Sequence, residues 1–356
     1  MIVDALRDPE SGLGATLVVM RPEGLCFGGT RFSASSSTEE VVELARCMEV
    51  KLHPHTAAVG GAKAGFFCDP DHPELPRLMA LAAERWSAIL RERVMLGKDM
   101  GASNALMDGF YEHVGAIQLA PIRASTPLAR LRELSGYRMH MTGLGVAWAV
   151  SAYVGHSLAG LRVAIQGAGA VGLGTAIRLT RMGAVVVGLS DVHRAVHFRA
   201  PPDEAQLVSV VSEGFGMPAA GDGLEWISRE SLFELPVDVV VLAASSNSVG
   251  AAEAEKLSAS FVVEGSNFGL QEEARVALQA RSIPVIPDVI ASSASAAMVA
   301  RQLASGGGLS DEALWSQIER CIREQVVLRR AESLERGISM RTAAFQSVGL
   351  LEASWS

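Results

Sequence analysis

Residues 59–67 read VGGAKAGFF, and Lys63 is the one charged group in the stretch. A solvated lysine needs no glycines beside it, whereas a lysine working at short range on a ligand gains from backbone that can come close. Two further groups could work with it: Lys51, 12 residues earlier (63 − 51), and Asp99, in GKDMGAS. A free lysine amine titrates near ~10.4, too high for a base at neutral pH. Burial and a second cation such as Lys51 bring it toward the working range, and a carboxylate such as Asp99 stabilises its protonated form. Singly, each of these residues is more often a solvated surface group than a catalyst.

A second constellation follows the strand-like run LRVAIQG (161–167). Gly167, Gly169 and Gly172 of GAGAVG fill the G-x-G-x-x-G pattern, with Ala170 and Val171 between the last two. The first glycine permits the tight turn and the second lets backbone approach a pyrophosphate. The third lets the helix pack on the strand, its N-terminus facing the anion. Asp191 ends the next strand-like run, 19 residues beyond Gly172 (191 − 172), where a carboxylate can hydrogen-bond ribose hydroxyls. An acid there repels a 2′-phosphate and favours NAD over NADP, although Arg194 and Arg199 follow closely and could reverse the preference. Ala243, at the end of VDVVVLAA, is a further expected cofactor contact.

The elements that must position these residues are legible in outline. LRVAIQG, AVVVGLS (184–190), VDVVVLAA (237–244), FVVEG (261–265) and IPVIPD (283–288) are short β-branched runs separated by helical or loop segments. Such runs indicate a parallel sheet covered on both faces. The expected class is α/β. An N-terminal α/β domain over 1–130 serves substrate binding, catalysis and oligomerisation. A Rossmann-type doubly wound domain over 131–356 binds the dinucleotide and ends in a helical tail, with the active site expected in the cleft between the domains. Residues 15–20 read as a strand, and 38–51 as an amphipathic helix with Thr38 as N-cap; 74–93 suggests another helix. Residues 200–225 read as a long irregular connection. Gly306–Gly308 reads as a hinge before a helix capped by Ser310, a tail that could fold back on the first domain.

At 356 residues, 49% hydrophobic and 20% charged, the chain suits a globular enzyme of two domains. The net charge of −8 argues against nucleic acid or an anionic membrane as partner. The N-terminal MIVDALRDPE lacks the apolar core of a signal peptide, and apolar stretches such as 144–154 are too short to span a bilayer. A cytoplasmic protein is expected. Cys26, Cys47, Cys68 and Cys321 are widely spaced and read as reduced buried thiols. Nothing near His53 and His55 completes a metal shell, so no metal site is expected.

In order, FGGTR (27–31), Lys51, VGGAKAG (59–65), KDMG (98–101), TGLGV (142–146), GAGAVG, EGSN (264–267) and IPD (286–288) resemble the glutamate/leucine/phenylalanine/valine dehydrogenase superfamily. The length is similar to its shorter leucine, phenylalanine and valine branch. The resemblance implies that Lys51 binds the substrate α-carboxylate, that Lys63 acts on the water attacking the imine, and that Asp99 handles protons at the amino group. It also implies that Thr142 and Asn267 help place the nicotinamide and substrate, and that Gly28 and Gly29 border the substrate pocket. The implied activity is NAD-dependent oxidative deamination of an L-amino acid to its 2-oxo acid and ammonia, reversible, in a homo-oligomer. Two alternatives stay open: a non-catalytic NAD-binding homologue, and an NAD(P)-dependent imine or carbonyl reductase on another substrate.

Aligned by motif, the side-chain pocket falls on Phe27, Gly97, Ala296 and Val299. Small residues at 97 and 296 leave room for a larger, apolar or aromatic side chain; no second cationic pair for a side-chain carboxylate is evident, which disfavours glutamate. Lys98 is an unusual neighbour for Asp99, a bystander or a contact for a polar substrate group. Where the family usually has Asn-Ala-Gly-Gly after IPD, this chain has Ser292-Ser293-Ala294-Ser295, which suggests a specialised biosynthetic member.

Overall fold

The computed structural model describes residues 1–115, 141–212, 216–218 and 223–351. The chain divides into two units, Met1–Glu133 with Ala296–Trp315, and Leu134–Ser295 with Ser316–Ser356. The domain boundary expected at 130/131 lies outside the described residues. Residues 296–315, assigned from sequence to the second domain, group with the first because Ala300 and Leu303 pack against Phe27, Leu52 and Val59.

The first unit is a five-stranded sheet in the order β1-β2-β4-β3-β5. Its strands are β1 (Ile2–Arg7), β2 (Gly14–Val19), β3 (Leu25–Phe32), β4 (Val59–Phe66) and β5 (Val94–Lys98). β3 runs parallel to both β4 and β5, while β2 is antiparallel to β1 and β4. Helix α1 (Thr38–Leu52) is capped by Ser37, whose hydroxyl accepts from Glu40 N. Thr38, the cap expected from sequence, is instead the first helical residue and hydrogen-bonds Thr16 through its hydroxyl at 2.8 Å. Helices α2 (Leu75–Glu92) and α3 (Asn104–Val114) bury Trp86 and Phe110 against Phe66 of β4. That stack forms the core of the unit.

The described part of the second unit starts with helix α4 (Met141–Val154) and carries a seven-stranded sheet, β12-β11-β10-β6-β7-β8-β9. The five runs read from sequence are β6 (Arg162–Gln166), β7 (Val185–Ser190), β10 (Val239–Leu242), β11 (Phe261–Glu264) and β12 (Val285–Ile286), all mutually parallel. Helix α5 (Ala170–Arg181) carries the chain from β6 to β7. The next parallel strand in the chain, β10, lies on the other side of β6, so the order switches at β6/β10, where a doubly wound sheet opens a crevice.

The sheet departs from an all-parallel one beyond β7. β8 (Ala195–Phe198) and β9 (Leu224–Ile227) add an antiparallel extension. The stretch 200–225, read as irregular, contains helix α6 (Glu204–Ser212) in its described part. Helices α7 (Ala251–Lys256), α8 (Glu272–Ala280), α9 (Asp288–Ala291), α10 (Ala294–Ala304), α11 (Asp311–Arg336) and α12 (Met340–Gln346) complete the chain. From Ser316 onward the tail belongs to the second unit, not the first. Arg323 donates to Ser151 Oγ at 3.1 Å and Arg330 to Tyr153 O at 2.8 Å, fixing α11 along α4. The four cysteines are buried and none is in a disulfide. Among the described residues no helix is long and apolar enough to cross a membrane.

Candidate active site

Side chains alternate along a strand, so Phe27, Gly29 and Arg31 of β3 share one face of the first sheet with Gly61, Lys63 and Gly65 of β4. The register sets Phe27 beside Gly61, Gly29 beside Lys63 and Arg31 beside Gly65. β5 adds Met95 and Gly97 beside Phe27 and Gly29. Helix α1 lies directly on this face. A Cβ on Gly61 would come within 2.4 Å of Glu49 N, and one on Gly65 within 2.4 Å of Val41 Cγ2. Gly61 and Gly65 therefore make room for a helix, while Gly60 lies against the Arg21 side chain, and Lys63 is the one long side chain that β4 sends toward the helix face. Glu49 reinforces the junction by accepting from Gly61 N at 2.6 Å.

Lys63 Nζ donates to Asp99 Oδ2 at 2.7 Å, and Arg31 Nε donates to the same oxygen at 3.1 Å. The other arm of Arg31 pairs with Glu40 at the start of α1. Lys63 is 3% exposed and Arg31 2%. Burial pushes the Lys63 amine below its ordinary value; Asp99 opposes this, while the charges of Arg31 and Lys51 add to it. Burial acts to raise the Asp99 carboxyl, but the adjoining charges of Lys63 and Arg31 outweigh it and hold it well below the usual carboxylate range.

Gly29 is what lets this pair close. A Cβ there would sit 2.9 Å from Asp99 Cβ and 3.3 Å from Lys63 Nζ. Gly28 has the Ala62 carbonyl oxygen 1.5 Å from the place of a Cβ, so it lies against β4, on the opposite face from Gly29. Lys51 is buried in the last turn of α1. Arg31 and Glu40 were not read as site residues from sequence. The signal was present in FGGTR, since Arg31 lies two residues beyond Gly29 and so points the same way.

The four pocket positions gather nearby in the same unit. Phe27 belongs to a cluster with Leu52, Val59, Ala300 and Leu303, on which Met48, Met95, Ala296 and Val299 pack. A Cβ on Gly97 would touch the Phe27 ring at 3.5 Å. Lys98 is exposed.

In the second unit, β6 delivers Gly167 in a left-handed conformation (φ 107°). Gly167 and Gly172 are closed by backbone: a Cβ on Gly172 would lie 1.8 Å from Gly167 O, and one on Gly167 2.5 Å from Ala243 O. Gly169 caps α5, and a Cβ there would meet nothing within 4 Å. An open amide cradle at the start of a twelve-residue helix suits a pyrophosphate. Ala170, Val171 and Ala243 are half-buried around it. Gly143 packs α4 on α5, with Gly174 C 2.7 Å and Val171 O 2.7 Å from the place of its Cβ; this holds the half-buried Thr142 beside the first turns of α5. Asn267 follows β11 by way of Gly265, which abuts Val171.

Asp191 Oδ1 accepts from His193 N at 2.8 Å and Arg194 N at 2.9 Å, closing the β7–β8 turn. Burial works to raise this carboxyl, but those two amides prevail and lower it. Arg194 stacks on Trp226, 3.7 Å from the ring centre, and Arg199 pairs with Glu225 at 3.0 Å. Ser292 and Ser293 are buried, their hydroxyls donating to Asp288 O and Ile290 O at 2.8 Å each. The departure from the family's glycines thus falls on the α9–α10 connection and the start of α10, where none of the four residues takes a left-handed conformation. Among the described residues no group of His, Cys, Asp and Glu could hold a metal ion.

The sequence matches the family model for Glutamate/Leucine/Phenylalanine/Valine dehydrogenase over residues 135–347 and that family's dimerisation domain over 19–115. Glutamate dehydrogenase B of Halobacterium salinarum is 32% identical over 74% of this chain and 63% of its own length. The NADP-specific glutamate dehydrogenase of Saccharolobus shibatae is 29% identical over 80% and 70%, and the NAD-specific enzyme of Staphylococcus aureus 31% over 74% and 66%. The matches thus span about two thirds of these relatives' lengths. Among solved structures, the hetero-hexameric glutamate dehydrogenase of Thermus thermophilus in its Leu-bound form superposes with a TM-score of 0.75. The match covers 96% of this chain and 86% of that one at 24% identity, a likeness of fold. With both domain models matched in order, this chain belongs to the glutamate/leucine/phenylalanine/valine dehydrogenase family.

Proposed function

We propose that this chain is an NAD-dependent L-amino-acid dehydrogenase acting on substrates with apolar or aromatic side chains. The observation that carries the proposal is the buried Lys63–Asp99 pair on the same sheet face as an apolar wall built on Phe27. A nicotinamide dinucleotide bound at the glycine turn would accept the hydride from the substrate Cα. Lys51 holds the substrate carboxylate through its ammonium. Lys63, brought down by burial, takes a proton from the water that adds to the iminium carbon, and ammonia then leaves the resulting carbinolamine. Asp99 balances the lysine's positive charge and turns its second oxygen toward the amino group. The balance is amino acid, NAD and water giving 2-oxo acid, ammonium and NADH with release of a proton.

The wall decides the substrate class. A side-chain carboxylate set among Phe27, Met48, Met95, Ala296 and Val299 would lose its hydration to apolar neighbours. Leucine, methionine or phenylalanine side chains bury there at a gain of about 1.5–3 kcal/mol each. For the cofactor, the His193 and Arg194 amides hold Asp191 ionised, so a 2′-phosphate would meet a negative charge there, while Arg194 stacks on Trp226 and Arg199 pairs with Glu225. A cytoplasmic homo-oligomer completes the proposal, the matched dimerisation domain being its support.

The experiment is NADH formation with a panel of L-amino acids, repeated with NADP. Apolar and aromatic substrates should exceed glutamate at least about tenfold in kcat/KM, the range a mismatched pocket imposes. A preference for glutamate sinks the specificity, and NAD binding with no turnover of any amino or 2-oxo acid sinks the activity.

A further inference from the structure

We infer that Arg31 and Glu40 are positioning residues for the Lys63–Asp99 pair, a chain of alternating charge that aims the carboxylate and fixes the charge balance around the lysine. The inference rests on the reading of Lys63 as the base of the reaction. Arg31 reaches two carboxylates on different elements: Nε meets Asp99 Oδ2 after β5, and Nη1 meets Glu40 on α1. A buried guanidinium survives only if its charge is answered, and its planar fork suits two acceptors held in fixed directions. The start of α1 is itself tied down, by Ser37 capping Glu40 N and by the Thr38–Thr16 hydrogen bond, so Glu40 is a fixed anchor.

Two cations on one oxygen make Asp99 a poor proton carrier and a good orienter. A proton arriving on Oδ2 would displace both Lys63 and Arg31. The charged groups that bear on Lys63 are Asp99 after β5, Arg31 from β3 and Lys51 from α1, with Glu40 of α1 behind Arg31. Arg31 and Glu40 therefore act on the lysine with opposite sign.

The test is the pH profile of kcat/KM with the best amino-acid substrate, for the unaltered protein and for Arg31→Met, Arg31→Lys and Glu40→Gln. Arg31→Met removes a cation, so the acid limb should move up by about one pH unit, and kcat should fall about tenfold or more as Asp99 loses its aim. Glu40→Gln removes an anion, so the limb should move down. Arg31→Lys keeps the charge but cannot span both carboxylates; its limb should stay while kcat falls. A limb unmoved in both Arg31→Met and Glu40→Gln, or displaced the same way in both, overturns the inference even though the unaltered enzyme turns over. If Arg31→Met does not fold, Glu40→Gln decides alone by its downward shift or lack of it. No turnover by the unaltered protein would instead remove the underlying reading, and the inference with it.

Discussion

Lys63, Asp99 and Arg31 come from two strands and the end of a third, 68 residues apart at the extremes, while Gly167, Gly169 and Gly172 follow one another from the end of β6 into the first turn of α5. The first site is made of buried side chains that answer each other's charge. The second is made of backbone, open at Gly169 and sealed at Gly167 and Gly172, with the Asp191 carboxylate at the turn after β7. A site of the first kind fails as a unit when one member is removed, because the others are left charged and dry. A site of the second kind fails by increments, since each amide contributes a little to anion binding.

The sharpest break of that contrast is Lys63→Ala. Loss of the base should lower kcat by about 10⁴-fold, the upper range for general base catalysis. NAD affinity, read by calorimetric titration, should be unchanged because the glycine turn belongs to the other unit. A parallel loss of NAD affinity would mean that the two sites are not separable. Next comes Asp99→Asn, which strands Lys63 and Arg31 without their shared anion and should cost about 3–5 kcal/mol in urea unfolding. The pH dependence gives the sign. The Asp99 carboxyl is held below its unfolded value, so its contribution is full above about pH 4 and is lost as pH falls further. The gap between the parent protein and Asp99→Asn should therefore narrow in acid. A gap that does not depend on pH would assign the effect to packing.

The same contrast explains what could be read from sequence. The second site is local, so spacing alone outlined the strand, glycine turn and helix that carry Gly167, Gly169 and Gly172, with Asp191 one residue past the end of β7. In the first, Lys63 and Asp99 were picked out by their motifs, but the reason for the glycines around Lys63 was misread. It depends on α1 lying across β4, a tertiary fact invisible in VGGAKAG. For Arg31, FGGTR shows the face it shares with Gly29 but not its partners, Glu40 and Asp99, which strand register and helix placement choose. The β8–β9 extension was missed because four-residue strands such as AVHF and LEWI carry too little period to stand out.

Paired glycine substitutions sharpen the comparison at smaller cost. Gly29→Ala puts a methyl 2.9 Å from Asp99 Cβ and 3.3 Å from Lys63 Nζ. It should spread the pair, destabilise by about 1–3 kcal/mol and lower kcat about 10²-fold. Gly169→Ala meets open space, so Tm should hold while Kd for NAD rises, about tenfold if the pyrophosphate passes there. Equal losses of Tm in the two variants would contradict the difference between a filled site and an open one.

The smallest effect is the most specific. Asp191→Asn keeps an oxygen that can accept from His193 N and Arg194 N, so the β7–β8 turn should survive. What changes is the second acceptor atom and the charge. A ribose hydroxyl bonded to a carboxylate rather than an amide gains about 1 kcal/mol, so NAD should bind roughly fivefold more weakly while NADP binds better, for want of repulsion. The gap should narrow without reversing, because Arg194 remains over Trp226 and Arg199 with Glu225. Reversal to a clear NADP preference would mean that one of these arginines leaves its partner for the phosphate. Adding Trp226→Ala, which frees Arg194, should then push the preference further the same way.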